Sequence, residues 1–250
     1  MEIKADLKSI AWSTETYRLF LSELTSAGVP SLREFSTKLI PGAKGFIGLK
    51  TPDLRRLAKG ILSGDWRGFL SVSGGDFFEE RALQAYVIGG AAAGYDERTR
   101  LIRGFIPKID NWAVNDALSS SMTFLKKEQD LYFDFILSLN NGSEFGGRIV
   151  LTTLLEYYLS EKYIDRVLKT ANETLQDFYN TKMGNAWLIS VAFVKQRDKT
   201  LEFLRSNNLD RFTQNKAIQK IRESYRVSDE DKKLVLEFKK NAECKMQNAE

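Results

Sequence analysis

The sequence predicts an all-α protein, an irregular α-solenoid of antiparallel helix pairs. Three observations predict it. Apolar residues recur at helical spacing along nearly the whole chain, and no stretch sustains a period-two alternation. The helical segments are short and the breaks between them run to only a few residues, which makes neighbours antiparallel. Faces such as Leu83, Tyr86, Val87 and Gly90 within 76–92 need partners on both sides. A stack of helix pairs at about 40 residues per unit, or somewhat less, suits that better than a closed bundle.

The expected helices are roughly 13–27, 31–39, 52–63, 65–72, 76–92, 95–106, 110–125, 128–139, 146–160, 162–171, 174–194, 197–205, 210–224 and 228–241. Ser31-Leu-Arg-Glu34 has the spacing of a capping box and opens the second. Thr51-Pro52 supplies an N-cap and a proline at the first position of the third. Gly64, Gly74-Gly75, Gly94 and Asn140-Asn141-Gly142 mark stops or turns. Ser228-Asp-Glu-Asp231 is a second capping box before the last helix. The expected organisation is one domain over 1–241 and a fraying tail over 242–250.

Composition bounds the chemistry. The 250 residues are 43% hydrophobic and 28% charged, ordinary for a folded globular chain. The net charge of +4 permits an acidic partner without demanding one. No histidine is present, so a Ser-His-Asp or Cys-His nucleophile system is excluded, as is an imidazole zinc site. Cys244 is the single cysteine, which excludes an internal disulfide or thiolate metal site. No metal or cofactor is expected. The opening MEIKADLKSI lacks an apolar run, so neither a signal peptide nor a membrane span is expected and the cytoplasm is the default compartment.

Within 110–125 the apolar positions Val114, Ala117, Leu118, Ser121 and Leu125 form a buried face. The opposite stripe reads Trp112, Asn115, Asp116, Ser119 and Thr123. An indole and a carboxylate four residues apart can meet. Both attract cations. The pair is either a cation-stabilising site or a boundary tryptophan beside a solvated acid. Trp187 lies in Asn185-Ala-Trp-Leu-Ile-Ser-Val-Ala-Phe-Val194, apolar nearly all round, and sits in the core or at its edge beside Met183, Ser190 and Val194. Arg148 opens a helix, where a cation gains nothing from the macrodipole; it is a surface arginine or an anion contact. Arg211 to Arg226 holds five basic residues and one acidic. Ile218, Ile221 and Tyr225 are its inward stripe, Lys216 and Lys220 share one outer face, and Arg222 and Arg226 share another. Like charges so spaced cost a few tenths of a kcal/mol, which phosphates would cancel; a solvated face is the alternative. Arg55-Arg56 is a weaker basic point.

Taken together, these segments resemble the DNA alkylation repair family, alkylpurine DNA glycosylases built from HEAT-like helical repeats. The resemblance rests on Gly48-Leu-Lys-Thr-Pro-Asp-Leu-Arg55, Asp110-Asn-Trp-Ala-Val-Asn-Asp116, Arg148, Ala186-Trp-Leu-Ile-Ser190 and Asn215-Lys-Ala-Ile-Gln-Lys-Ile-Arg-Glu-Ser-Tyr-Arg226, in that order, over about residues 31 to 226. It implies a C-shaped solenoid whose concave basic face cradles duplex DNA, acting as a monomer. It implies hydrolysis of the N-glycosidic bond of cationic N3- or N7-alkylated purines, without a deep pocket for the flipped base. The family's catalytic trio falls on Trp112, Asp116 and Trp187, and its phosphate-contacting arginine on Arg148. Lys216, Lys220, Arg222, Arg226 and Arg55 are the further DNA contacts expected. One region departs. Members carry a long DNA-packing helix before the Thr-Pro turn, but here Pro30 and then Pro41-Gly42, Gly45 and Gly48 leave room for at most about ten helical residues. That departure keeps two alternatives in view: a DNA-binding paralogue for bent or branched DNA without excision activity, and a protein-binding solenoid.

Overall fold

The computed structural model of the protein describes residues 7–43, 45–175 and 177–241, so the expected tail at 242–250 lies outside the described residues. The chain divides into two compact units, Met1–Phe135 and Ile136–Glu250. Among the described residues every regular element is helical. None of these helices is long and apolar enough to cross a membrane.

The first unit holds α1 (Thr14–Ser26), α2 (Pro30–Leu39), α3 (Thr51–Leu62), α4 (Trp66–Val72), α5 (Phe78–Gly90), α6 (Tyr95–Phe105) and α7 (Trp112–Ser121), and α8 (Leu125–Leu137) begins in it. The second holds α9 (Glu144–Tyr157), α10 (Ile164–Glu173), α11 (Tyr179–Lys195), α12 (Arg197–Arg205), α13 (Arg211–Glu223) and α14 (Asp229–Leu234). Each expected segment has its helix, with ends moved by a few residues. The largest change is at α14, which tightens into a 3-10 turn over Val235–Phe238.

Alternate helices pack side by side. In the first unit α5 lies between α3 and α7; in the second α11 lies between α9 and α13. This next-but-one pairing is that of an α-solenoid. It explains why α5 and α11 are buried on almost every side. Close approach needs small residues. A Cβ on Gly89 would stand 2.5 Å from the Ser121 Cβ, so this glycine is what lets α5 and α7 meet. The first core gathers Trp12, Phe20 and Phe69 edge to face, with ring centroids 5.4 and 5.2 Å from Trp12. The second joins Ile189 and Phe193 of α11 to Leu201 and Leu204 of α12 and to Ile218 and Ile221 of α13.

Two helix starts differ from expectation. α2 begins at Pro30 with Val29 as its uncapped N-cap, not at a Ser31 box. The residue before a proline is driven extended, and Val29 has φ −104° and ψ 118°. α3 takes Lys50 as its N-cap, with Pro52 inside the first turn. Ser228 does cap α14, accepting from the Asp231 N–H at 3.1 Å.

A buried polar knot at the start of α5 ties the loops of the first unit. Glu79 accepts from the backbone N–H groups of Ile47 (2.8 Å), Gly48 (2.7 Å) and Leu49 (3.1 Å). Gly48 stands at φ +97°, and a Cβ there would lie 2.5 Å from the Val29 carbonyl oxygen. Glu80 accepts from the Phe77 N–H and from the Tyr17 hydroxyl. Burial, and then the Glu80 carboxylate, hold that phenol protonated far above the ordinary tyrosine range.

Candidate functional site

The candidate pair of the first unit stands on α7. Asn111 caps this helix through its side-chain oxygen, which accepts from the Ala113 and Val114 N–H groups at 3.0 Å each. The cap is itself held. The Asn111 amide donates to Asp110 Oδ1 at 2.7 Å, and Arg81 of α5 meets the same oxygen at 3.2 Å. Trp112 is therefore the first residue of a firmly started helix, and Asp116 follows one turn later. Both side chains are half-buried at the surface. The Asn115 amide donates to Asp116 Oδ1 at 3.0 Å, holding the carboxylate in one orientation. Replacing Asn111 by alanine is expected to lower stability by about 1–2 kcal/mol, the usual cost of a lost cap, as a shift in the urea midpoint at constant slope.

The stripe expected to be wet on α7 is only partly so. Asn115 is 0% exposed and Ser119 is buried too. Its partly exposed positions are Trp112, Ala113, Asp116, Ser120 and Ser121, of which Trp112, Asp116 and Ser120 are i, i+4 and i+8. Ser120 also lines a groove of about 310 Å³ with Arg55, Lys59 and Tyr86. The Arg55 guanidinium lies 5.6 Å from the Tyr86 ring centroid. Sequence reading found Arg55 and missed this aromatic partner, because the pairing crosses from α3 to α5.

The second unit places Trp187 on α11, half-buried at the edge of the core. It lines a groove of about 250 Å³ with Ser190, Lys220 and Arg226. An indole is thus set beside two cations, with Glu223 at the same rim. Lys216 and Arg222 line a different groove, of about 620 Å³, with Arg211, Phe212 and Lys239. Lys216 and Lys220, one turn apart on α13, line different grooves, and the expected pairing of Arg222 with Arg226 on one helix face is not kept. The reason is that α13 ends at Glu223 with Ser224 as its cap. Arg226 lies beyond the helix, where helical spacing no longer applies. Tyr225, expected on the inward stripe, is fully exposed for the same reason, while Ile218 and Ile221 are buried.

Arg148 is only 6% exposed. Its guanidinium donates to the Asn180 carbonyl at 2.8 Å. Asn180 in turn donates its backbone and side-chain N–H groups to Glu144 at 3.0 and 2.8 Å. Arg148 thus helps fasten the start of α9 to the start of α11. The sequence signal, a cation at a helix start, is answered within the unit by a carbonyl.

A family model described as DNA alkylation repair enzyme matches residues 20–221. Among curated proteins, none matches the chain. The matched span takes in α7, the Trp187 segment and nearly all of α13, and the helical architecture agrees with it. The chain therefore belongs to the DNA alkylation repair enzyme family, whose role is DNA repair.

Proposed function

We propose that this protein is a DNA glycosylase that hydrolyses the N-glycosidic bond of cationic N3- or N7-alkylated purines in duplex DNA. The observation that carries the reading is the α7 face, where Asp116 is oriented by the Asn115 amide one turn from a half-open indole. Family membership supports DNA alkylation repair, and the resemblance described above suggests cationic purines as the substrate.

The chemistry suits the residues. An alkylated purine already bears a positive charge, so it leaves as a neutral base, taking the electron pair of the C1′–N bond. The sugar passes through an oxocarbenium-like state, and a water oxygen forms the new bond to C1′. Asp116 opposes the developing positive charge and orients that water, whose proton passes to solvent. Trp112 is placed to add a π-face; such a contact contributes roughly 0.5–2 kcal/mol, most when water is excluded. Trp187 takes the same role by the family pattern. Lys220 and Arg226 beside it, together with Arg55, Lys216 and Arg222, supply phosphate contacts. Arg148, held by Asn180, acts by fixing α9 and α11.

Incubation with duplex DNA carrying N7-methylguanine is expected to release the free base, read by chromatography, while undamaged duplex stays intact. No release at enzyme excess removes the reading. One observation favours the second reading in that case. The helix that family members pack against DNA is here α2, ten residues with no buried side chain, so a paralogue that binds DNA without excision would then remain. Its affinity would fall steeply with salt.

A further inference from the structure

The geometry points to a second nucleic-acid subsite, for a single-stranded segment, built from Tyr179, Phe212 and the cations beside them. It rests on the DNA-binding part of the proposed function and is independent of base release.

Two large aromatic side chains stand out of the second unit at the starts of neighbouring helices. Tyr179 opens α11 and is 64% exposed; Phe212, in the first turn of α13, is 39% exposed. Their ring centroids are 6.0 Å apart, tilted at 51°. Exposed aromatics paired in this way leave apolar π-faces in water, a mark of a binding surface. Two ammonium groups flank the Phe212 ring, Lys182 and Lys216, each 5.9 Å from its centroid. Lys182 is bridged to Asp210 at 3.2 Å and Lys216 donates to Gln219 at 2.8 Å, so both are fixed in place. The Phe212 ring also forms one wall of the 620 Å³ groove whose other cations are Arg211, Arg222 and Lys239 and whose lining includes no acid.

Cations tracking a groove, with stacking faces at one end, are the elements of single-strand recognition. Phosphodiesters lie along the arginines and Lys239, and unstacked bases rest on Tyr179 and Phe212. A base paired within a duplex keeps its faces covered by its neighbours and cannot use these rings. The groove that holds Trp187 is lined by a different set of α13 residues, so the two subsites are separate on that helix.

The test is fluorescence anisotropy with unmodified DNA, comparing a blunt duplex with the same duplex bearing a thymidine overhang of about six nucleotides, within the range of single-strand site sizes. The overhang is expected to tighten binding by about 5- to 10-fold, the gain from one good stacking contact. Phe212→Ala or Tyr179→Ala is expected to remove that gain and leave blunt-duplex affinity unchanged; Phe212→Trp keeps it. Both positions are exposed, so folding is not at stake. Equal affinity for the two DNAs overturns the subsite while leaving duplex binding intact. A gain that survives both alanine variants overturns the stacking platform, and binding to neither DNA overturns it along with the DNA-binding reading.

Discussion

Glu79→Ala is expected to lower the stability of the Met1–Phe135 unit by about 3–5 kcal/mol, the range found when one partner of a buried charged set is removed. The carboxylate is almost wholly buried and accepts three consecutive backbone N–H groups, from Ile47, Gly48 and Leu49. These donors lie in an irregular strand of chain between α2 and α3, where no helix or sheet offers another acceptor. Alanine leaves all three desolvated and empties the volume of one methylene and a carboxylate. Relaxation is restricted. Gly48 is locked at φ +97° against the Val29 carbonyl, and Gly45 packs so closely that a Cβ would stand 2.2 Å from the Asp76 oxygen. Glu79→Gln tests the charge separately. It keeps one carbonyl oxygen but turns an NH₂ toward a backbone N–H, so it is expected to fall between the parent and alanine. The melting temperature of the alanine variant should drop on the order of 10 °C. A drop of a degree or two would show that the 45–49 loop is held by its glycines and not by Glu79.

The same residue shows where the sequence stops being legible. Periodicity tells which face of a helix is apolar, and that was enough to place every helix and to point to a solenoid; the next-but-one packing comes from the structure. It does not tell whether a second neighbour covers the polar face. In α5 and α11 a second neighbour does so, and Glu79 and Asn185 end up buried although their residue types read as solvent-facing; Asn115 of α7 and Arg148 of α9 are buried as well. Glu79, Arg148 and Asn185 are made tolerable by hydrogen bonds to groups far away in sequence, which no local pattern encodes, and Asn115 bonds to the adjacent Asp116. Asn111 is an N-cap and Asn115 a carboxylate anchor, yet the sequence shows only two asparagines four residues apart. On α13 the limit is different: one end residue decides it. The helix ends at Glu223, so helical spacing does not carry on to Tyr225, which is in water, or to Arg226, which lines the Trp187 groove. The candidate residues Trp112, Asp116 and Trp187 are legible as types and spacings, and the half-open setting of the two indoles is among the alternatives that their stripes allow.

Asp116→Asn is expected to slow base release from N7-methylguanine DNA by about 10²- to 10³-fold, equivalent to roughly 2.7–4 kcal/mol of transition-state stabilisation. The substitution preserves shape and leaves a carbonyl oxygen that can still accept from the Asn115 amide at the present 3.0 Å. What it removes is the negative charge, whose effect is greatest where positive charge develops on the sugar. Affinity for the damaged duplex should stay the same or rise slightly, because an anion is taken away from a surface that meets phosphates. Charge stabilisation made only in the transition state lowers the single-turnover rate and leaves the dissociation constant alone, whereas lost positioning of the DNA changes both. Trp112→Ala gives the contrast. It keeps the charge and loses the π-face, so its rate loss should be smaller, about 2- to 30-fold, the rate equivalent of a 0.5–2 kcal/mol contact. If Asp116→Asn released base within threefold of the parent while Trp112→Ala did not, the indole would carry the chemistry and the carboxylate would be one more solvated acid at a helix start.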